Sequence, residues 1–286
     1  MTSSCTYTRS SGHGFTLIEL LASLALSGIL FASAFGFFAD VSWRARDTGI
    51  HLSTWKEATH VTTLIASEIR LAGAGVPISQ TDFTPGTAGL GDKPLGILTT
   101  STASRLTFRT ARGGILRTVM SDYAPTTTNL VVTLNSTIGI SAGDEIYLSN
   151  LSRGGSGALW GTITAVTSTQ VTIRNDFIRS SSATFAAGSS LQVVDTLTYE
   201  NQNRLSGITR TDNATSLVIA SNADLRFEYL DRNLTPLPLP LTDSAVQNQL
   251  TAIRLTLSLG ARQKMKLKQS YSTSITHLVA LRNLLI

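Results

Sequence analysis

One carboxylate stands in surroundings that do not suit it. Glu19 is the only charge in an apolar run from Phe15 to Ala39. An acid inside such a run is expensive, and intramembrane acids are functional by default. Its bland alternative is a side chain near a helix end that snorkels to an interface. Its functional reading is ion pairing: the carboxylate waits for a cationic partner.

The other candidate constellations are weaker. Ser53-Thr54-Trp55-Lys56 fits S-x-x-K, which can carry an activated serine, but no S-D-N or K-T-G element accompanies it. Gly86 to Lys93 has two glycines at P-loop distance, yet Asp92 intervenes before Lys93 and no Ser or Thr follows the lysine. Ser156 sits among glycines without the full G-x-S-x-G pattern or a strand–helix elbow. Asp144 and Glu145 are adjacent, so in a strand they face opposite ways and cannot pair as acid and base. Trp43, Trp55 and Trp160 read as packing or interface anchors. The four histidines are scattered, and the single cysteine, Cys5, excludes both a disulfide scaffold and a thiolate zinc site. No metal or cofactor is called for. The net charge of +5 is a mild excess, so no nucleic-acid partner is expected.

The element that must position Glu19 is a helix. Twenty-five residues at 1.5 Å each give about 37 Å, enough to cross a bilayer core with tilt. Residues 1–14 are polar and hold no acid. A secretory signal has its cleavage site after a shorter apolar core. Here the small residues Gly12 and Gly14 lie before the run, so a cut at Gly14 leaves the apolar helix on the mature chain.

Gly14-Phe15-Thr16-Leu17-Ile18-Glu19-Leu20-Leu21 resembles the class III signal of type IV prepilins and pseudopilins. The resemblance implies cleavage between Gly14 and Phe15 by a prepilin peptidase, N-methylation of Phe15, and an assembly role for Glu19. It also settles orientation, with the leader in the cytoplasm and the bulk of the chain in the periplasm. Lys and Arg alone settle less: Arg9 favours a cytoplasmic leader, whereas Arg44 and Arg46 vote the other way. Many type IV pilins have a proline at the residue matching Gly36. Gly28 and Gly36 stand here as the candidates for local helix flexibility, against a simpler role in close helix packing.

Beyond Asp40 the pattern stays helical and becomes amphipathic. Ala58, Val61, Ile65, Ile69 and Ala72 make one stripe, and Gly73, Gly75 and Pro77 form a stop. After Pro77 the chain reads as loops and period-two strands, with clean alternation at Leu225, Phe227 and Tyr229 and at Ile253, Leu255, Leu257 and Leu259. The expected fold is α+β and type IV pilin-like: a long N-terminal helix packed on an antiparallel β-sheet domain. The expected segments are a leader (1–14), a transmembrane half-helix (15–39), an amphipathic periplasmic half-helix (40–75), and a β domain in two parts (76–122 and 180–286). Several short strands in 123–179 suggest a small inserted β module, a compact barrel or curled meander. Segment 232–249, with Pro236, Pro238 and Pro240, reads as an irregular connection.

Four further fragments narrow the resemblance. Glu68-Ile69-Arg70-Leu71-Ala72-Gly73 resembles the helix end of PilW-type minor pilins. Leu197-Thr198-Tyr199, Phe227-Glu228-Tyr229-Leu230-Asp231 and Leu281-Arg282-Asn283-Leu284 are similar to that family too. The departure is the lack of any cysteine after Gly14, where many relatives have some. The resemblance implies a minor pilin that joins other minor pilins and the major pilin, primes pilus assembly, and takes a place at the tip. Its partners would then be those pilins, the prepilin peptidase and inner-membrane lipid. J-type pseudopilins of type II secretion share the architecture and remain an alternative. A tip adhesin, with 123–179 as its binding part, is another.

Overall fold

The computed structural model describes residues 16–76, 83–86, 88, 94–124, 128–150, 157–179, 184–203, 207–213, 215–261 and 271–281. Gly14, Phe15, Pro77, Lys93, Ser156 and residues 282–284 lie outside them.

Helix α1 runs Leu17–Ile69 without a break. No proline interrupts it, and the two glycines of its apolar half, Gly28 and Gly36, each cost only about 1 kcal/mol against alanine. The helix has two environments. Leu17 to Phe38 is exposed along its whole circumference, and none of its most apolar stretch is buried. From Ile50 onward one face is buried: Ile50, Thr54, Ala58, Val61, Thr62, Ile65, Ala66 and Ile69. This is the expected stripe, but the helix itself ends at Ile69. Ala72 is buried in the turn that follows. Gly73 and Gly75 have φ of 82° and 76° and turn the chain out of the helix.

The rest is antiparallel sheet, so the fold is type IV pilin-like α+β. The strands are β1 (Thr84–Pro85), β2 (Arg105–Thr118), β3 (Asn129–Thr133), β4 (Glu145–Ser149), β5 (Ala158–Val166), β6 (Gln170–Ile178), β7 (Ser190–Asn203), β8 (Gly207–Asp212), β9 (Thr215–Ala220), β10 (Ala223–Leu230), β11 (Ala252–Gly260) and β12 (Ser272–Ala280), with a short helix α2 (Asp243–Asn248). Among the described residues, nine strands form one sheet and β10, β11 and β12 form another. β7 is the spine of the larger sheet. One of its edges carries β2; the other carries β4 and then β8. β5 and β6 continue outward from β4, and β3 and β1 share the far edge of β6.

The two period-two runs at 104–110 and 115–120 fall on a single strand, β2. A register shift between Ala111 and Leu116 divides it at Gly113-Gly114. β8 was not foreseen. Ile208 is its only large apolar residue, so period two has nothing to ride on. α2 lies inside the segment read as irregular, started by Thr242, whose hydroxyl accepts from the Ala245 N–H.

The main core lies where the buried helix face meets both sheets. Ala58, Ile65 and Ile69 pack with Leu106, Phe108, Tyr199, Phe227, Leu255 and Leu257. A second core joins Leu130, Val132, Ile146, Leu159, Ile173, Leu191 and Val193 from β3 to β7.

Candidate processing and assembly site

At its N-terminus α1 is closed by a reciprocal cap. The Thr16 hydroxyl accepts from the Glu19 N–H at 3.4 Å, and the Thr16 N–H donates to Glu19 Oε2 at 3.0 Å. The two residues form a capping box. Glu19 thus has a local partner, and it sits in the first helical turn, where the macrodipole favours an acid. The Thr16 N–H and hydroxyl both meet the same carboxylate oxygen, Oε2, at 3.0 Å. Gly14 and Phe15, expected beside it, are outside the described residues. Gly28 and Gly36 lie on the exposed apolar half, and a methyl group added at either would meet nothing within 4 Å.

At the other end of the apolar half the charges return. Asp40 pairs with Arg44 at 2.7 Å, one turn apart, and the Arg46 guanidinium lies 5.6 Å from the centre of the Trp43 ring.

The buried half of the helix is fastened by polar contacts at its end. Tyr199 donates to Glu68 at 2.6 Å, and Arg210 Nε donates to the same carboxylate at 3.0 Å. Burial, followed by the Glu68 carboxylate, holds the Tyr199 phenol far above its ordinary pKa, so it remains a donor. Arg70 meets His277 of β12 at 3.2 Å. Two separate sequence fragments, around Glu68 and around Tyr199, therefore meet in space. Arg210 was missed because its strand was missed. Tyr229 donates to the carbonyls of Thr102 and Arg105, tying the smaller sheet to the start of β2.

The other candidates take structural places. Ser53 donates its hydroxyl to the Ile50 carbonyl of its own helix, and Lys56 is exposed one turn on. Asp144 and Glu145 each face a different arginine. Arg109 forks onto Glu145 at 2.7 and 2.8 Å, and Arg112 onto Asp144 at 2.8 and 2.9 Å. Arg109 is 2% exposed and lies 5.0 Å from the centre of the Trp160 ring. Among the described residues, no group of His, Cys, Asp and Glu is placed to hold a metal ion.

Residues 9–35 match the family motif described as the prokaryotic N-terminal methylation motif. The match marks a type IV pilin- or pseudopilin-like protein, a prepilin-type substrate of the peptidase. Such a motif implies pilus or pseudopilus partners, and with the single apolar helix it fits a single-pass protein anchored in the inner membrane. No curated protein matches the chain.

Proposed function

We propose that this chain is a minor pilin of a type IV pilus, PilW-like, that helps to prime filament assembly and stands at the tip. On this reading it is a structural protein and not an enzyme. The leader, residues 1–14, is removed between Gly14 and Phe15, and Phe15 is N-methylated. The helix holds the chain in the inner membrane, with the sheets in the periplasm and 123–179 as an inserted module. Glu19 then pairs with the new amine of a neighbouring subunit.

The observation that carries this reading is the division of α1: one uninterrupted helix is wholly exposed and apolar to Phe38 and core-forming from Ile50. A helix so divided serves two solvents in turn, lipid and protein. The four PilW-like fragments support the subtype.

Intact-mass analysis of the chain from membranes tests the processing step. A product beginning at N-methyl-Phe15 is expected. Co-purification of the membrane-extracted chain with other minor pilins tests the role, and recovery with secretion pseudopilins instead would overturn it.

A further inference from the structure

Asn-x-Ser/Thr, the acceptor pattern for an N-linked glycan, occurs at Asn135, Asn150, Asn213 and Asn233. In a sequence this rich in Ser and Thr the pattern arises by chance, so the motif alone selects nothing. A transferase must reach both the side-chain amide and the hydroxyl two residues on, which requires a surface position. The fold grants this to one of the four.

The other three are occupied. Asn150 is 8% exposed, and its amide donates to the Thr184 carbonyl at 2.8 Å. The Asn213 amide donates to Asp195 at 2.8 Å, and its oxygen accepts the Thr196 N–H at 3.0 Å. The Asn135 oxygen accepts the Thr118 N–H at 3.0 Å. The hydroxyl of its Thr137 donates to the carbonyls of Thr167 and Ser168 at 2.9 and 3.1 Å.

Asn233 lies in the turn after β10, where the Leu234 N–H donates to the Asp231 carbonyl at 3.0 Å and Leu234 has φ 61°. Asp231 holds this turn. Its Oδ1 accepts the N–H groups of Asn233 and Thr235, each at 2.8 Å, and its own N–H donates to the Thr235 carbonyl at 3.0 Å. The backbone is thus fixed while the Asn233 side chain stays outside the network. Asn233, Leu234 and Thr235 are exposed, and among the described residues the Asn233 amide has no hydrogen-bond partner. Asp231 also places an acid two residues before the acceptor, where the other three have Thr133, Leu148 and Thr211. The turn stands at the end of the smaller sheet remote from the apolar half of α1. Leu230 pairs with Ala252 and Ala252 with Ala280, beyond the point where His277 meets Arg70.

We propose that Asn233 is the acceptor for an N-linked oligosaccharide, transferred from a lipid diphosphate-linked donor by an oligosaccharyltransferase of the inner membrane. The inference rests on the reading that the sheets stand in the periplasm. Asn233 Nδ2 attacks C1 of the first sugar. The bond from C1 to the diphosphate oxygen breaks, the lipid diphosphate leaves with the electron pair, and the amide proton passes to a base of the transferase. The Thr235 hydroxyl and the Asp231 carboxylate are the handles by which the enzyme holds the turn. The glycan then covers the end of the subunit farthest from the membrane and clears the apolar half-helix.

The test incubates the purified full chain with a bacterial oligosaccharyltransferase and its lipid-linked glycan and reads intact mass. One glycan increment is expected, mapped by peptide mass to Asn233. Asn233→Gln and Thr235→Ala should each abolish it, and Thr235→Ser should keep it. Asp231→Asn keeps an accepting oxygen for the turn and removes the charge; the rate should fall about tenfold, as for loss of a hydrogen bond to a charged group. An increment at Asn135 or Asn213 instead would overturn the assignment. A peptide of residues 229–237 carries the same pattern without the fold. Modification of the peptide but not of the chain would show the turn closed to the enzyme, and modification of neither would show the pattern unread; each overturns the proposal. Placement is read separately. Ser272 is exposed, so the Cys5→Ser, Ser272→Cys chain should react with a membrane-impermeant maleimide in spheroplasts. No labelling would overturn the periplasmic placement, and with it the use of the site in the cell.

Discussion

Glu68 of the helix receives the Tyr199 hydroxyl from β7 and the Arg210 guanidinium from β8, so one carboxylate joins the helix to two strands. Tyr199→Phe keeps the ring's burial and the Arg210 pair and removes a hydrogen bond to a charged group, a loss of about 1.5–3 kcal/mol. Glu68→Gln weakens both contacts and should cost more. Urea unfolding of the detergent-solubilised chain measures the two. Equal stability of both variants with wild type would show the cluster to be idle.

Arg109 is held by geometry as well as charge. It forks onto Glu145 and covers Trp160 while almost fully buried. Arg109→Ala should cost about 3–5 kcal/mol, because Glu145 is left without its cation. Arg109→Lys should recover only part of this, since an ammonium cannot make the fork. Thermal unfolding of the three proteins checks the order.

Gly75 turns the chain out of the helix at φ 76°, where a Cβ would also stand 2.9 Å from the Ala111 Cβ. Gly75→Ala should therefore destabilise by about 1–3 kcal/mol through backbone strain and crowding together. A shift in urea midpoint at constant slope is the expected signature.

Gly36 is the opposite case. Nothing within 4 Å obstructs an added methyl group, and alanine is the better helix former. Gly36→Ala should stiffen the helix without a clash in the free subunit. A fall in filament incorporation would then trace to lost local melting or to a partner helix packed on the glycine. Incorporation at the wild-type rate, with helix order unchanged, would remove the flexibility role.

At Glu19 the capping box supplies a competitor to intersubunit pairing. Thr16→Ala removes the hydroxyl half of the cap, worth about 1 kcal/mol. It leaves the carboxylate charged, so partner association should survive. Glu19→Val removes both functions and should weaken pull-down of partner pilins while cleavage and membrane insertion persist. Equal association of the two variants would make Glu19 a cap and nothing more. Gly14→Glu should block processing, since a side chain there obstructs the peptidase, and mass analysis would find the full-length chain.

The elements legible in the sequence were those whose burial leaves a period. Ala58, Val61, Ile65 and Ile69 announced the packed face of α1, and Leu225, Phe227 and Tyr229 announced β10, because each alternates against one core. Glu19 stood out because it breaks an apolar run. The polar fasteners did not. Arg109, Arg112 and Arg210 are ordinary charges in a linear reading, and their acids lie 36, 32 and 142 positions away. Only the pairing of β2 and β7 and the placement of β8 bring such partners together. β8 escaped because one face carries Thr209 and Thr211 and the other carries Arg210 and Asp212 beside Ile208, so no apolar face marks it as a strand until its neighbours are known.

The continuity of α1 has a mechanical consequence. Its 53 residues make a rod about 80 Å long with no proline at which to bend. A pull on the anchored end reaches the folded half along the axis and loads the interface in shear, spread over every turn from Ile50 to Ile69. Bonds sheared in parallel share the force, whereas bonds peeled in series fail one at a time. The Glu68 cluster lies at the far end of the load, where it resists sliding of the rod past the sheets.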